Sequence, residues 1–297
     1  MDNIEYVPAK TIVSGYRPGG DWFGANYNMN IYRGCSHDCI YCDSRSECYG
    51  DDTFGKIKVK EGALRLINDE LRRKRKTGVI ATGSMSDPYN PLERELELTR
   101  AALRLVALNG FGVAIATKSP LITRDIDVLR EIKERSPAIC KITITAEDNG
   151  LSKIIEPGTS GSVERFGALS QLSAAGLFSG VLLMPVLPFI TDTQENITKI
   201  VERAAQCGAR FIYPAFGVTL RDRQREYYYA RLDESFPGLR EKYERLYGAN
   251  YSCSSPAAPK LYKVFEAACR AHGILYKMQH IVAASKRGYG DNQLSLF

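Results

Sequence analysis

Apolar residues recur along this chain with two different periods, and each period predicts one kind of element. Short runs in which nearly every residue is apolar or small, such as residues 79–82 and 112–117, predict buried strands. Between such runs the apolar positions repeat every three or four residues, as at Leu64, Ile67 and Leu71, which predicts helices buried along one face. The predicted strands lie at residues 27–33, 79–82, 112–117, 141–145, 181–186 and 210–213, with helices at residues 60–76, 98–109, 124–135, 163–175 and 193–207 between them.

This alternation predicts an α/β fold in which a parallel sheet is covered by helices. A closed TIM barrel needs eight strand–helix units, so six units predict a partial, open TIM barrel, (β/α)6, with a mostly helical C-terminal extension. We expect the barrel and its N-terminal lead-in at residues 1–216, the extension at 217–285 and a flexible tail at 286–297. In barrels of this kind the functional groups follow the carboxyl ends of the strands.

Composition narrows the functional classes only slightly. The 44% hydrophobic content of the 297 residues is enough for one large core, and the net charge of +6 is compatible with a nucleic-acid partner. The N-terminus lacks a signal-peptide pattern, and the most apolar run, residues 180–190, is too short to span a bilayer. We therefore expect a cytoplasmic protein without a membrane partner, whose eight cysteines are reduced and whose clustered cysteines bind metal.

Three cysteines lie on one short loop directly after the first predicted strand. Cys35, Cys39 and Cys42 could bind three irons of a 4Fe–4S cluster and leave the fourth iron open, since fully ligated clusters use four cysteines. Structural zinc is the alternative, because Cys48 and His37 would complete a set of four ligands. A single triplet at a strand end is unlike the two separated ligand pairs of most structural zinc sites.

The Cys-x3-Cys-x2-Cys spacing, with an aromatic Tyr41 before the third cysteine, resembles the radical S-adenosylmethionine (SAM) superfamily. Residues 28–49, 84–93 and 117–125 resemble its spore photoproduct lyase-like, or DNA-repair-photolyase-like, branch, and the likeness extends over residues 20–215. It implies a 4Fe–4S cluster and S-adenosyl-L-methionine as cofactors, with a reductant such as flavodoxin or ferredoxin. The implied reaction is reductive cleavage of S-adenosylmethionine and hydrogen abstraction from DNA in a repair-type, lyase-like step.

The resemblance also implies cofactor contacts at later strand ends. Gly83, Ser84 and Ser86 follow the second strand, where members of the superfamily hold the amino group of S-adenosylmethionine. Lys118 follows the third strand and suits a carboxylate or phosphate, and Arg165 could pair with the cofactor carboxylate. Each prediction has a structural alternative. The segment after the second strand could be an ordinary turn, Lys118 could form a surface salt bridge, and Arg165 could lie on a helix surface.

One residue departs from the branch that the chain resembles. In spore photoproduct lyases a cysteine of the second-strand-end segment returns a hydrogen atom to the product radical, whereas this segment carries Met85, which has no S–H group. Either another residue, for which Cys140 and Tyr89 are the candidates, donates the hydrogen, or the reaction differs. A peptide or small-molecule substrate is therefore the alternative to DNA.

The C-terminal third contains two candidate binding segments. Residues 220–231 combine arginines with three tyrosines, which suits either a nucleic-acid backbone with exposed bases or an amphipathic helix that covers the open barrel. The final residues Gln293, Leu294, Leu296 and Phe297 resemble the motif that docks bacterial repair proteins on the DNA sliding clamp, and the alternative is a tail that folds back on the core. A third functional hypothesis is a non-catalytic, metal-stabilised clamp adaptor.

Overall fold

The strands form one large sheet and two small ones. The structure is a computed structural model that describes residues 4–16, 22–50 and 54–289. Its strands are β1 (Glu5–Val7), β2 (Val13–Gly15), β3 (Ala25–Met29), β4 (Tyr32–Arg33), β5 (Lys58–Lys60), β6 (Val79–Thr82), β7 (Gly112–Thr117), β8 (Ala138–Thr143), β9 (Phe178–Leu183), β10 (Phe211–Pro214), β11 (Gly217–Thr219) and β12 (Ser252–Ser254).

Helices connect most of these strands and form the C-terminal part of the chain. They are α1 (Ala63–Arg73), α2 (Glu93–Leu96), α3 (Leu98–Leu108), α4 (Ile126–Lys133), α5 (Asn149–Ile155), α6 (Ser162–Ala174), α7 (Gln194–Gln206), α8 (Asp222–Ser235), α9 (Leu239–Tyr247), α10 (Ala258–Ala271) and α11 (Met278–Ser285). Short 3-10 turns lie at Trp22–Gly24, Asp43–Arg45, Glu47–Tyr49 and Pro120–Asp125.

The large sheet has the strand order β10-β9-β8-β7-β6-β3-β2. Its strands from β3 to β10 run parallel, and β2 pairs antiparallel with β3 at one edge. Among the described residues, β10 and β2 are not paired with each other, so the sheet does not close. The predicted partial, open barrel with six parallel strands is confirmed.

The main core lies between the outer face of the sheet and the helices. Each strand contributes alternate residues to it, such as Ile80, Val113 and Ile142, and the helices cover them with residues such as Leu103 and Leu169. The inner face is filled by a second cluster, in which Phe23 packs with Phe211 of β10 and Ile281 of α11. Helix α11 therefore packs against the inner face of the sheet through Ile281.

Four of the six strand predictions differ from the structure in their bounds. The strand predicted at residues 141–145 is β8 (Ala138–Thr143), and that at residues 210–213 is β10 (Phe211–Pro214). The first predicted strand, residues 27–33, is split: β3 ends at Met29, and Tyr32 pairs instead with Val59 of β5 in a small sheet of β1, β5 and β4. The fifth strand begins three residues earlier than predicted and ends at Leu183, because Pro185 lacks the N–H group that a continued ladder would need. The strands at residues 79–82 and 112–117 match their predictions.

The C-terminal extension contains α8 to α11 and the two-stranded sheet of β11 and β12. Helix α10 packs against α7 of the barrel, so the extension is not separate from the barrel core. The proposed clamp motif at residues 293–297 lies outside the described residues, and the predicted domain boundaries stay predictions. No helix in the described part of the chain is long and apolar enough to cross a membrane.

Gly83 provides a test of how tightly the end of β6 is packed. Its φ is +90°, and a Cβ atom there would lie 1.9 Å from the carbonyl oxygen of Ala116. Gly110 has a similar φ of +71° with open space around it. In urea unfolding we expect Gly110→Ala to cost about 1 kcal/mol, the left-handed penalty alone, and Gly83→Ala to cost about 3 kcal/mol or more. Equal losses for the two variants would contradict this packing.

Candidate active site at the mouth of the barrel

The cysteine loop crosses the carboxyl end of the sheet and is fastened on both sides. On one side the backbone N–H of Cys35 donates to the carbonyl of Phe54 (2.8 Å). On the other side the N–H of Ile40 donates to the carbonyl of Ile155 (3.0 Å). The N–H of Gly158 donates to the carbonyl of His37 (3.0 Å). The loop is thus held between the small sheet and the end of α5.

Burial raises the pKa of all three cysteine thiols, and hydrogen-bond donors and a cation partly offset that rise. Burial raises the pKa of Cys35 to about 11, as does the charge of Asp87, while the backbone N–H groups of Asp87 and His37 oppose this rise. Burial also raises the pKa of Cys42, and both the N–H and the hydroxyl of Ser44 donate toward its sulfur. The donors around Cys35 and Cys42 therefore oppose an effect that burial dominates.

Burial likewise raises the pKa of Cys39, and the nearby ammonium of Lys118 is the main opposing influence. Hydrogen bonds to sulfur and a neighbouring positive charge are the features that stabilise iron–sulfur clusters in proteins. The donor set therefore fits a 4Fe–4S cluster, with Cys35, Cys39 and Cys42 as its ligands.

Cys48 and His37, the two residues that would complete a zinc site, have other partners. Within the described ranges, no three His, Cys, Asp or Glu side chains are arranged to hold one metal ion. Cys48 is exposed and accepts a hydrogen bond from the hydroxyl of Ser46, and His37 lies 3.5 Å from a carboxylate oxygen of Asp87. In a cubane cluster each cysteine binds a different iron of the same cluster.

The buried carboxylate of Asp87 connects three segments at the mouth. One oxygen accepts hydrogen bonds from the hydroxyl of Thr117 (2.6 Å) and the N–H of Tyr89 (2.9 Å). The other accepts from the N–H of Lys118 (2.8 Å) and faces His37 of the cysteine loop. The segment after β6 is therefore more than a turn, because it positions the end of β7 and the loop together.

The fully buried carboxylate of Glu156 forms a second connection. It accepts hydrogen bonds from the hydroxyl of Tyr41 and from that of Thr145 (3.2 Å), and it forms an ion pair with Arg165. Burial opposes ionisation of Glu156, but Arg165 and Lys118 outweigh it and lower the pKa of the carboxyl below its usual value. The aromatic residue of the cysteine motif is thus fixed to the end of β8.

Arg165 is not the surface residue that its place on a helix suggests. Its guanidinium is fully buried and donates to the carbonyls of Thr143 (3.1 Å) and Ser160 (2.9 Å) and to the hydroxyl of Thr159, besides Glu156. The carboxylate that it contacts is a protein carboxylate. Its contact with a cofactor carboxylate stays a prediction, and the structure shows it as a positioning residue.

The other predicted cofactor residues surround the mouth. Lys118 lies with its ammonium 5.7 Å from the ring centre of Tyr41, and no hydrogen bond or ion pair of that ammonium is found among the described residues. Burial lowers the pKa of Lys118, but the neighbouring Cys39 and Glu156 raise it above its usual value. The ammonium of Lys118 is therefore a charged group beside the cysteine loop that makes no hydrogen bond or ion pair within the described residues.

The segment after β6 places its three predicted residues differently. The hydroxyl of Ser86 donates to the carbonyl of Gly34 (2.5 Å), whereas Ser84 is exposed and Gly83 is half-buried. Their contacts with S-adenosylmethionine stay predictions.

A cavity of about 260 Å³ lies between this segment and the cysteine loop. Met85 and Ser86 border it on one side and Gly34 and Ser44 on the other. The remaining lining residues are Asn30, Tyr32, Arg33, Tyr49, Phe54 and Lys60.

Neither candidate for hydrogen donation faces this cavity. Cys140 and Tyr89 are buried in the main core between the sheet and the helices. Alternation along β8 points Cys140 toward the helices, and hydrogen donation by Cys140 or Tyr89 stays a prediction.

The family model described as "Radical SAM superfamily" matches residues 29–203 of this chain. The chain belongs to the radical SAM superfamily. The matched region contains the cysteine loop and the strand ends from β6 to β9, and it ends within α7. This radical SAM protein is therefore an enzyme.

Two sequence relatives and two groups of solved structures extend the comparison. An uncharacterized protein of Mycobacterium tuberculosis is 31% identical over 230 residues, which are 74% of this chain and 67% of that protein. An uncharacterized protein of Methanocaldococcus jannaschii is 32% identical over 174 residues, 58% of this chain and 64% of that protein.

Spore photoproduct lyase is similar in fold, with a TM-score of 0.66 at 15% identity over 90% of this chain and 78% of that one. The radical SAM methyltransferase TsrM of Kitasatospora setae, with tryptophan bound, gives a TM-score of 0.58 at 13% identity over 91% and 60%. These likenesses show the fold.

Glu156→Gln tests the buried ion pair. Removing one partner leaves the guanidinium of Arg165 buried and uncompensated, so we expect a loss of about 3–5 kcal/mol in the free energy of unfolding at pH 7. Glu147→Gln is the matched control, because Glu147 pairs with Arg203 at 2.6 Å in a partly exposed place and should cost less than about 1 kcal/mol.

The stability that the Glu156–Arg165 ion pair contributes should depend on pH in one direction. Because the folded pKa of Glu156 is lowered, its contribution is present above the unfolded carboxyl pKa of about 4.3 and is lost as pH falls through the folded value. The difference between wild type and Glu156→Gln should therefore be constant at neutral pH and shrink in acid. A difference that grows in acid would contradict the pairing.

Proposed function

We propose that this protein binds a 4Fe–4S cluster through Cys35, Cys39 and Cys42, binds S-adenosylmethionine beside it, and abstracts a hydrogen atom from DNA in a repair-type reaction. The observation that supports the cofactor most directly is the spacing of the three cysteines on one loop at the carboxyl end of the sheet, within the family-matched region. Burial raises the pKa of all three thiols, and backbone N–H groups, the hydroxyl of Ser44 and the ammonium of Lys118 partly offset that rise.

The residues of the chain have separate tasks in this proposal. The bound cofactors supply one-electron reduction of a sulfonium and hydrogen-atom abstraction. Lys118 offers an unpaired ammonium to an anionic group of the ligand, and exposed Ser84 offers a hydroxyl. Glu156 and Asp87 orient the loop and keep water from the buried side of the site.

DNA as the substrate is supported by two observations. The net charge is +6, and the fold resembles that of spore photoproduct lyase, for which a complex with a dinucleoside spore photoproduct is known. The terminal residues Gln293, Leu294, Leu296 and Phe297 would add docking on a DNA sliding clamp, and flavodoxin or ferredoxin would supply electrons.

A peptide or small molecule is the second candidate substrate. TsrM has a similar fold and holds tryptophan, and Met85 stands in the segment where spore photoproduct lyases carry a cysteine. The cavity of about 260 Å³ beside Met85 is large enough for a compact organic molecule.

Anaerobic reconstitution tests the cofactor. We expect about four irons per chain and, on reduction with S-adenosylmethionine, release of 5′-deoxyadenosine. Cys39→Ala should lose both, and Cys48→Ala, which changes an exposed thiol outside the triplet, should keep both. One zinc per chain, or equal iron loss in the two variants, would refute the cluster assignment.

Salt titration of DNA binding tests the substrate class. If the protein binds the DNA backbone, log K should fall linearly with log salt by about 0.9 for each phosphate contacted. Cys39→Ala should bind with the same slope. Absent or salt-independent binding, together with deuterium transfer from a labelled peptide or small molecule into 5′-deoxyadenosine, would favour the second candidate.

A further inference from the structure

The first turns of α8 lie against the cysteine loop. Arg221, the residue before the helix, forms a two-point ion pair with Asp43 (2.8 and 3.2 Å). The next residue, Asp222, accepts hydrogen bonds from the hydroxyl of Ser46 (3.0 Å) and the N–H of Glu47 (3.1 Å). Helix α8 thus contacts the segment that follows the third cysteine.

Gln224 connects α8 to the interval between the second and third cysteines. Its side chain is fully buried, and its amide nitrogen donates to the carbonyl of Tyr41 (3.3 Å) and to that of Thr219 (3.0 Å). Its amide oxygen accepts from the N–H of Arg221 (3.0 Å). The carboxamide is therefore held in one orientation while it bonds the loop backbone beside Cys42.

Tyr227 reaches the loop between the first and second cysteines. Its hydroxyl donates to the carboxylate of Asp38 (2.7 Å), and its ring lies 3.9 Å from the guanidinium carbon of Arg45. Asp38 has a φ of +52°, a left-handed conformation that a residue with a side chain adopts at a cost. Arg45 also pairs with Asp38, so two side chains hold the strained residue just before Cys39.

These contacts account for the mixture of arginines and tyrosines in the segment. Arg225 donates to the carbonyls of Gly248 (2.7 Å) and Asn250 (2.8 Å), and Arg223 donates to that of Arg45 (3.1 Å). Tyr228 and Tyr229 are buried in the cluster that also contains Cys39 and Tyr41. These contacts support the hypothesis of a helix that packs on the protein, and nucleic-acid binding by this segment stays a prediction.

We propose that α8 is the positioning element of the cysteine loop. In this proposal Gln224 and Tyr227 fix the backbone on either side of Cys39, and Arg221 fixes the segment after Cys42. Helix α8 lies outside the region that the family model matches, so part of the cluster site is supplied by the C-terminal extension. An effect of α8 on iron binding rests on the proposed 4Fe–4S function. An effect of α8 on the order of the cysteine loop does not, because it can be measured in the metal-free protein.

Hydrogen exchange of the metal-free protein tests the loop directly. Tyr227→Phe removes one hydroxyl and keeps the ring, and Gln224→Ala removes the buried amide. We expect amide exchange at residues 39–48 to rise about tenfold in each variant, the factor that one ordinary buried hydrogen bond represents. Arg240→Ala is the control, because Arg240 pairs with Asp233 and Glu244 near the opposite end of α8.

Exchanging the two charges of the Arg221–Asp43 ion pair distinguishes loss of that contact from a general loss of stability. Asp43→Arg should accelerate exchange in the loop, and adding Arg221→Asp should restore protection. Unchanged exchange in Tyr227→Phe and Gln224→Ala, or the same change in Arg240→Ala, would overturn the proposal. If the double variant does not regain protection from hydrogen exchange, Arg221 does not position the loop.

The reconstituted protein provides the second measurement. Iron release to a chelator should be about tenfold faster in Tyr227→Phe and Gln224→Ala than in Arg240→Ala, as expected for one lost hydrogen bond. The midpoint potential should shift in both variants, which a loss of global stability alone would not produce. If the wild-type protein takes up no iron, the proposed function fails, and the exchange data still decide whether α8 positions the loop.

Discussion

The carboxylate of Glu156 is the group on which the arrangement at the mouth of the barrel depends. It is fully buried and accepts from Tyr41 of the cysteine loop, from Thr145 after β8 and from Arg165 of α6. A buried charge is stable only when every partner is in place. Each partner is therefore held to one orientation, and the loop that carries the cysteines shares that constraint through Tyr41.

The pattern of apolar residues along the chain was sufficient to predict those parts of the fold whose deciding interactions are between residues close in sequence. The apolar runs at residues 79–82 and 112–117 predicted β6 and β7 with their bounds, and the alternation of strands and helices predicted an open barrel. The spacing of three cysteines identified the candidate metal ligands, because the ligands of one cluster lie on one short loop. In each case the deciding interactions are between residues close in sequence.

The remaining features depend on partners that are distant in sequence. Tyr32 leaves the expected first strand because it pairs with Val59, which no local period indicates. An arginine on a helix is ordinarily exposed, so the burial of Arg165 became visible only with Glu156 beside it. The segment at residues 220–231 was ambiguous for the same reason, since Arg221, Gln224 and Tyr227 bond to the cysteine loop, which is distant in sequence.

The distance between these partners has a consequence for how the site is completed. The carbonyl of Tyr41 and the amide of Gln224 are 183 residues apart, and the hydroxyl of Tyr227 and the carboxylate of Asp38 are 189 apart. Closing a loop of that length gains little until its ends pack, so we expect these contacts to form late in folding. The family-matched region contains all three cysteines, yet side chains of the C-terminal extension hydrogen-bond to the segment around them. We therefore expect the cysteine loop and the extension to unfold together.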